Sequence, residues 1–265
     1  MTTQGPADHP FELIQTPTSQ LRQSPVTLAD TMWLTYSEPN QFHRCASEMA
    51  CVHNMMLRGL NSIYLQAPYI KAQDEKSFLH YSACFYQLVH VHHDGEEKML
   101  FPLIEEMSGE KGIMQHNVEQ HHTFDEGLEK YIKYIRDCLD GKEAYQGSNL
   151  IAIVDEFGQN LADHLHEEIM TILGLEKYRD KMKSLEETFE KFANKDTAQL
   201  PPAGTLSWGF FNHDRGYENG LWKNWPPAPA PVVFMVRYVL FWVHSDWWQF
   251  ASCDKYGKLR ERLFT

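Results

Sequence analysis

The chain lacks most of the features that mark a partner or an address. It has no basic tract: 24 Lys and Arg stand against 36 Asp and Glu, a formal net charge of −12. That balance argues against nucleic acid or an anionic membrane surface as a partner. It has no long apolar run either. The longest, Val232 to Val243, has Arg237 inside it and is too short to span a bilayer. The amino terminus, Met1 to Pro10, has neither a basic stretch nor an apolar core, so no signal peptide is expected. Cysteine is sparse, with Cys45, Cys51, Cys84, Cys138 and Cys253 odd in number and without CxxC spacing. They read as reduced, mostly buried thiols of a cytoplasmic protein. No GxGxxG fingerprint for a nicotinamide or flavin is present, so any reductant has to come from an external electron donor. No internal repeat is found, and 265 residues favour one substantial core over two.

What the chain has in excess is histidine, 14 in all, with seven between His80 and His122. Imidazole is the commonest side-chain metal ligand, so a cluster of this kind calls for a metal explanation first.

Residues 1–36 are proline-punctuated, hold no sustained period and read as a strap over the surface. Residues 37–175 carry four amphipathic segments. The first is signalled by Ser37-Glu38-Pro39, follows Met49, Met56, Leu57, Leu60 and Ile63, and stops at Pro68. The second runs from about Asp74 to Met107, and Pro102 should kink or break it. The third spans about Glu110 to Asp140, with Gly141 as a stop. The fourth opens on Ser148 or Asn149 as N-cap. Short connections make an all-α, up-down-up-down four-helix bundle the natural arrangement. Residues 176–199 read as an additional charged and largely exposed helix. Residues 200–265 hold six of the seven tryptophans and read as an aromatic cap on the bundle, more structural cover than binding box.

A ligand in a bundle core has to point inward, and several ligand-type residues fall on the apolar stripes. His53 lies between Met49 and Met56. His92 follows Leu88 and Val89, with Glu96 one turn on. His121 precedes Phe124 and Leu128. His164 follows Phe157 and Leu161, with Glu168 one turn on. Spacing of four places each His/Glu pair on one helix face. The heights agree as well. At a rise of ~1.5 Å per residue, His53 and His92 lie ~21 and ~26 Å from the turn that joins their helices, and the other pairs match as closely. His53, His92, Glu96, His121, His164 and Glu168 therefore converge on one level. Inward Glu96 and Glu168 need a counter-charge. Mixed imidazole and carboxylate donors suit iron first, with zinc or manganese as second choices, and two carboxylates facing across a core can bridge two metals.

His92-His93-Asp94-Gly95-Glu96-Glu97-Lys98-Met99-Leu100-Phe101-Pro102 resembles the signature HxxxEExxLFP of the haemerythrin (HHE) family, which would make His92 and Glu96 the ligands. Asn117 to Phe124 is similar to that family's third-helix HxxxHxxF, and His164 to Glu168 to its fourth-helix HxxxE. His53 falls where its first-helix histidine belongs. The resemblance covers about residues 40–175, and the Trp-rich tail is similar to fungal members. It implies a haemerythrin-like bundle with two irons per chain. One departure stands out: Asn117 replaces the first histidine of the third-helix pair, leaving four histidines and two carboxylates. Either this gap admits oxygen or substrate, or His116 is recruited by a local distortion, or the second metal binds weakly.

The remaining histidines read more blandly. His90, His93 and His122, with Glu97, sit off the inner stripe and are expected to orient ligands or to be solvated. His166-Glu167-Glu168-Ile169-Met170 lacks the second histidine of HExxH, so a zinc-protease reading fails. The expectation is a di-iron protein that binds and activates O2 and oxidises a small molecule, for instance an aromatic one, with Glu96, Glu168 and Asn117 at the reacting centre. The alternative is a non-catalytic carrier, store or sensor of oxygen, nitric oxide or iron.

Overall fold

The structure, a computed structural model, describes residues 5–18 and 40–264. The helix-start signal at Ser37-Glu38-Pro39 and most of the expected strap lie outside them. Among the described residues every regular element is helical, apart from one isolated bridge between Cys253 and Leu259. No described helix is long and apolar enough to cross a membrane.

Helix α1 (Gln41–Gln66) starts on Asn40, whose side chain accepts the backbone N–H of His43 and so satisfies a donor the helix itself cannot. It ends in a 3-10 turn, Ala67–Tyr69, that contains Pro68. Helix α2 (Glu75–Gly95) passes through a π-turn (Glu96–Leu100) into α3 (Phe101–Ser108). Pro102 acts one turn earlier than expected. It has no N–H to offer the carbonyl four residues back, and the chain widens: the N–H of Phe101 bonds to the carbonyl of Glu96, five residues away.

Helix α4 (Gln115–Leu139) is followed by Gly141 in the left-handed region (φ 70°), as its stop signal requires. Helix α5 (Gly147–Gly174) begins before the expected cap. Gly147 lies against the carbonyl of Ala67, where a Cβ has no room, so close packing rather than a Ser or Asn side chain fixes this start. Helices α1, α2, α4 and α5 close a ring in which each packs on two others, and their apolar stripes form the core between them.

Helix α6 (Leu185–Gln199) departs from the expectation of a largely exposed element. Leu185, Phe189, Phe192 and Asp196 are buried, and the helix lies over α1, α2 and the π-turn. Its other charged residues do face solvent, as in the Arg44–Glu186 pair.

The chain then wraps the bundle. In α7 (Ser207–Asn212) Trp208 is fully buried against Gly59 of α1, where a Cβ would lie 2.0 Å from the indole ring. Trp248 is also buried, but Trp242 is 66% exposed and Phe234 of α8 (Ala230–Tyr238) 57% exposed, so the tail only partly covers the core. At the other end, residues 5–18 lie along α1. Cys45, Cys51, Cys84 and Cys253 are buried free thiols, and Cys138 is half-buried.

Candidate metal centre

At mid-height of the ring the helices deliver two groups of potential ligands. His53, His92, Glu96 and Glu168 form one; His93, Glu96, His121 and His164 form the other. Within each group the ligand atoms lie within 4.8 Å of one another, and every member is buried. Glu96 belongs to both. Its Oε1 is 3.0 Å from His92 Nε2, and its Oε2 is 3.6 Å from His121 Nε2. Glu168 Oε2 lies 3.3 Å from His53 Nε2 and 4.0 Å from His164 Nε2, so the second carboxylate also reaches towards both groups.

Hydrogen bonds at the far side of the rings fix how the imidazoles face. His53 Nδ1 donates to the carbonyl of Leu165 at 2.7 Å, and His121 Nδ1 donates to Glu97 Oε1 at 2.6 Å. His164 Nδ1 lies 3.3 Å from Gln120 Oε1. In a neutral ring each of these bonds puts the proton on Nδ1 and leaves Nε2 with a bare lone pair, the arrangement found in metal-ligating histidines. Yet His121 Nε2 and His164 Nε2 face each other at 3.1 Å, and His53 Nε2 and His92 Nε2 at 3.2 Å. For His121 and His164, two bare lone pairs at that separation repel unless a cation lies between the rings.

The electrostatics agree. Burial, reinforced by neighbouring imidazoles, holds His92 and His93 well below the usual histidine range. Burial likewise brings His164 down to about 3. These rings are therefore neutral, the state that ligates. Burial, and then the Glu168 carboxylate beside it, push Glu96 well above the ordinary glutamate range. Both oxygens of Glu96, both of Glu168 and His93 Nε2 are buried with no hydrogen-bond partner among the described residues. Buried polar atoms without partners are rare in native proteins. Here they converge on two points, and the donor set of imidazole and carboxylate fits a pair of first-row transition ions.

The six residues expected at the centre, His53, His92, Glu96, His121, His164 and Glu168, do come together. His93 corrects the expectation of a solvated or merely supporting residue. It is buried and stacks on His121 with ring centroids 4.4 Å apart. The signal was present in Leu88 and Val89, which are adjacent and both buried. His92 and His93 repeat that pair one turn later, so the inner stripe of α2 is two residues wide. The expectation of four histidines is corrected with it: His53, His92, His93, His121 and His164 all stand in the two groups. His116 is not recruited; it is exposed and pairs with Glu167 at 3.2 Å. His90 and His122 are exposed, the latter beside Asp125. Glu97, partly exposed, orients His121. Asn117 is fully buried.

Helix α6 closes the centre from outside. The Phe192 ring stands 6.0 Å from His92, and Asp196 sits directly over Gly95, where a side chain would collide with it. A cavity of about 1040 Å³ lies elsewhere, between residues 5–15 and the tail, and touches none of these ligands. Its arginines are already engaged: Arg58 with Asp8 and Asp214, and Arg215 and Arg260 with backbone carbonyls.

Two comparisons bear on this geometry. The family description "Hemerythrin HHE cation binding domain" matches residues 47–175. A dimeric xanthone biosynthesis cluster protein of Cryptosporiopsis sp. is 36% identical over 222 residues, 83% of this chain and 82% of that protein. No solved structure matches.

Proposed function

Since the chain belongs to the haemerythrin (HHE cation-binding) family, we propose that it is a non-haem di-iron protein that binds O2 and uses it to oxidise a small molecule. The observation that carries this reading is the sharing of Glu96 between two complete His/carboxylate groups. One ion would be held by His53, His92, Glu96 and Glu168, the other by His93, His121, His164 and Glu96. Iron bound there supplies one-electron chemistry towards dioxygen, which no side chain can provide.

The protein's own groups prepare the site. Leu165 and Glu97 fix the tautomers of His53 and His121, so neither of these rings has to turn before it can ligate. Glu97 has 37% of its side chain exposed and links His121 Nδ1 to solvent, which gives a proton a route at the edge of the centre. Phe192 keeps bulk water off His92. An enzymatic role, rather than carriage or storage, is supported by the relative from a biosynthesis cluster, and a xanthone suggests an aromatic substrate.

The test is the metal content of protein purified without chelator, with Glu96→Ala alongside. We expect about two irons per chain, as in two-metal sites generally, and loss of both in the variant, since Glu96 serves each group. O2 consumption coupled to turnover of an aromatic substrate would then separate enzyme from carrier. Zinc in place of iron, or an unchanged metal content in Glu96→Ala, would overturn the proposal.

A further inference from the structure

Asn117 occupies the position whose family counterpart ligates metal, yet it is fully buried and neither its Oδ1 nor its Nδ2 has a hydrogen-bond partner among the described residues. Leaving a buried donor or acceptor unsatisfied costs about 1–3 kcal/mol. Two such atoms on one side chain point to an occupant. Asn117 stands one turn before His121 on α4, hence on the same face. Its neighbour His116 turns outward to Glu167, so at this level α4 offers the carboxamide to the centre.

We propose that His93 has taken over the imidazole position that residue 117 has given up, and that the Asn117 carboxamide hydrogen-bonds a small anionic ligand at the metal held by His93, His121 and His164. The inference rests on the dinuclear reading above. A carboxamide suits the task because it presents N–H donors to a ligand lone pair and a carbonyl to a ligand O–H. An anion is the fitting class, since two divalent ions outweigh the charge of Glu96 and Glu168. An imidazole at 117 would compete with that ligand for the metal; an amide, a poor ligand for iron, does not.

Azide is the probe. Iron-loaded wild type, Asn117→Leu and His93→Ala are compared for metal per chain and titrated with azide by absorbance; the infrared stretch of bound azide is then recorded. Asn117→Leu should keep its full metal content, bind azide about tenfold more weakly, as one lost hydrogen bond to a charged ligand implies, and shift the stretch. His93→Ala should lose about half its metal, the share of one site of two. Should the leucine variant not fold, Asn117→Ala provides the same comparison. Unchanged azide affinity and stretch in the Asn117 variant would overturn the proposal. So would metal lost from Asn117→Leu but retained in His93→Ala, which would make Asn117 the ligand. A wild type that takes up a single ion would instead sink the underlying dinuclear reading, whatever azide does.

Discussion

Whether a helical histidine reaches the centre of a bundle depends on how wide the buried stripe is at its level. For His53, His121 and His164 a stripe one residue wide sufficed, and spacing alone located them. His92 was found with them, but His93 needed the wider stripe set by Leu88 and Val89, which a search at steps of three and four passes over. What no pattern could show was that Asn117 would keep both amide atoms unpaired, because that depends on what every other element leaves around it. The neutral imidazoles carry a consequence for protein stripped of metal. Folded, His92, His93 and His164 have depressed pKa values; unfolded, they titrate near 6.5. The stability this arrangement retains is present above 6.5 and is lost as pH falls, because the unfolded chain then binds more protons. Well below 6.5 the loss should approach roughly 1.4 kcal/mol per pH unit for each of these rings. Urea unfolding of chelated protein between pH 7.5 and 5 measures it; a flat profile would mean that these rings are already charged in the fold. Metal should suppress the effect, because a ligated imidazole cannot take up a proton.

The four long helices were legible from apolar periodicity, and their ends were less so. Pro102 was visible as an irregularity, but not that the strain would be taken up as a π-turn beginning at Glu96, the residue both ligand groups share. Helix α6 was misread because its charges dominate the sequence, whereas Leu185, Phe189, Phe192 and Asp196 repeat at helical steps and bury one face. The contact between α1 and α7 offers a direct test at this scale. Gly59 leaves a flat seat for Trp208, and Gly59→Ala places a methyl inside the indole ring. The gain in helix propensity, up to ~1 kcal/mol, should be outweighed by an overpacking cost of ~1–3 kcal/mol. Thermal unfolding should therefore begin at lower temperature, with a change in tryptophan fluorescence. An equally or more stable variant would show that Trp208 can leave its seat at little cost.

On the scale of the whole molecule, the bundle is held from outside by both flanks. Phe250, in the tail, accepts hydrogen bonds from Ser62 and Gln66 of α1, and Gln66 Oε1 accepts from the backbone N–H of Phe264. The similarity to the fungal relative likewise runs over 222 residues, well past the boundaries of the matched segment 47–175. That segment alone should not fold stably: it would expose the seat of Trp208 and begin inside α1. A fragment of residues 47–175 is expected to be aggregated or poorly helical by circular dichroism; a folded, metal-binding fragment would show the flanks to be dispensable. The other clamp on α1 works differently. The carboxamide of Asn54 exchanges hydrogen bonds with both the N–H and the carbonyl of Ile14, and that of Asn61 does the same for Phe11. Two asparagines thus stand in for a neighbouring strand and read the main chain of this segment. Its register is therefore indifferent to side-chain identity at positions 11 and 14, where substitution would loosen packing without moving the segment along the helix. Loss of a single asparagine would remove a tooth from the ratchet and let the segment slide.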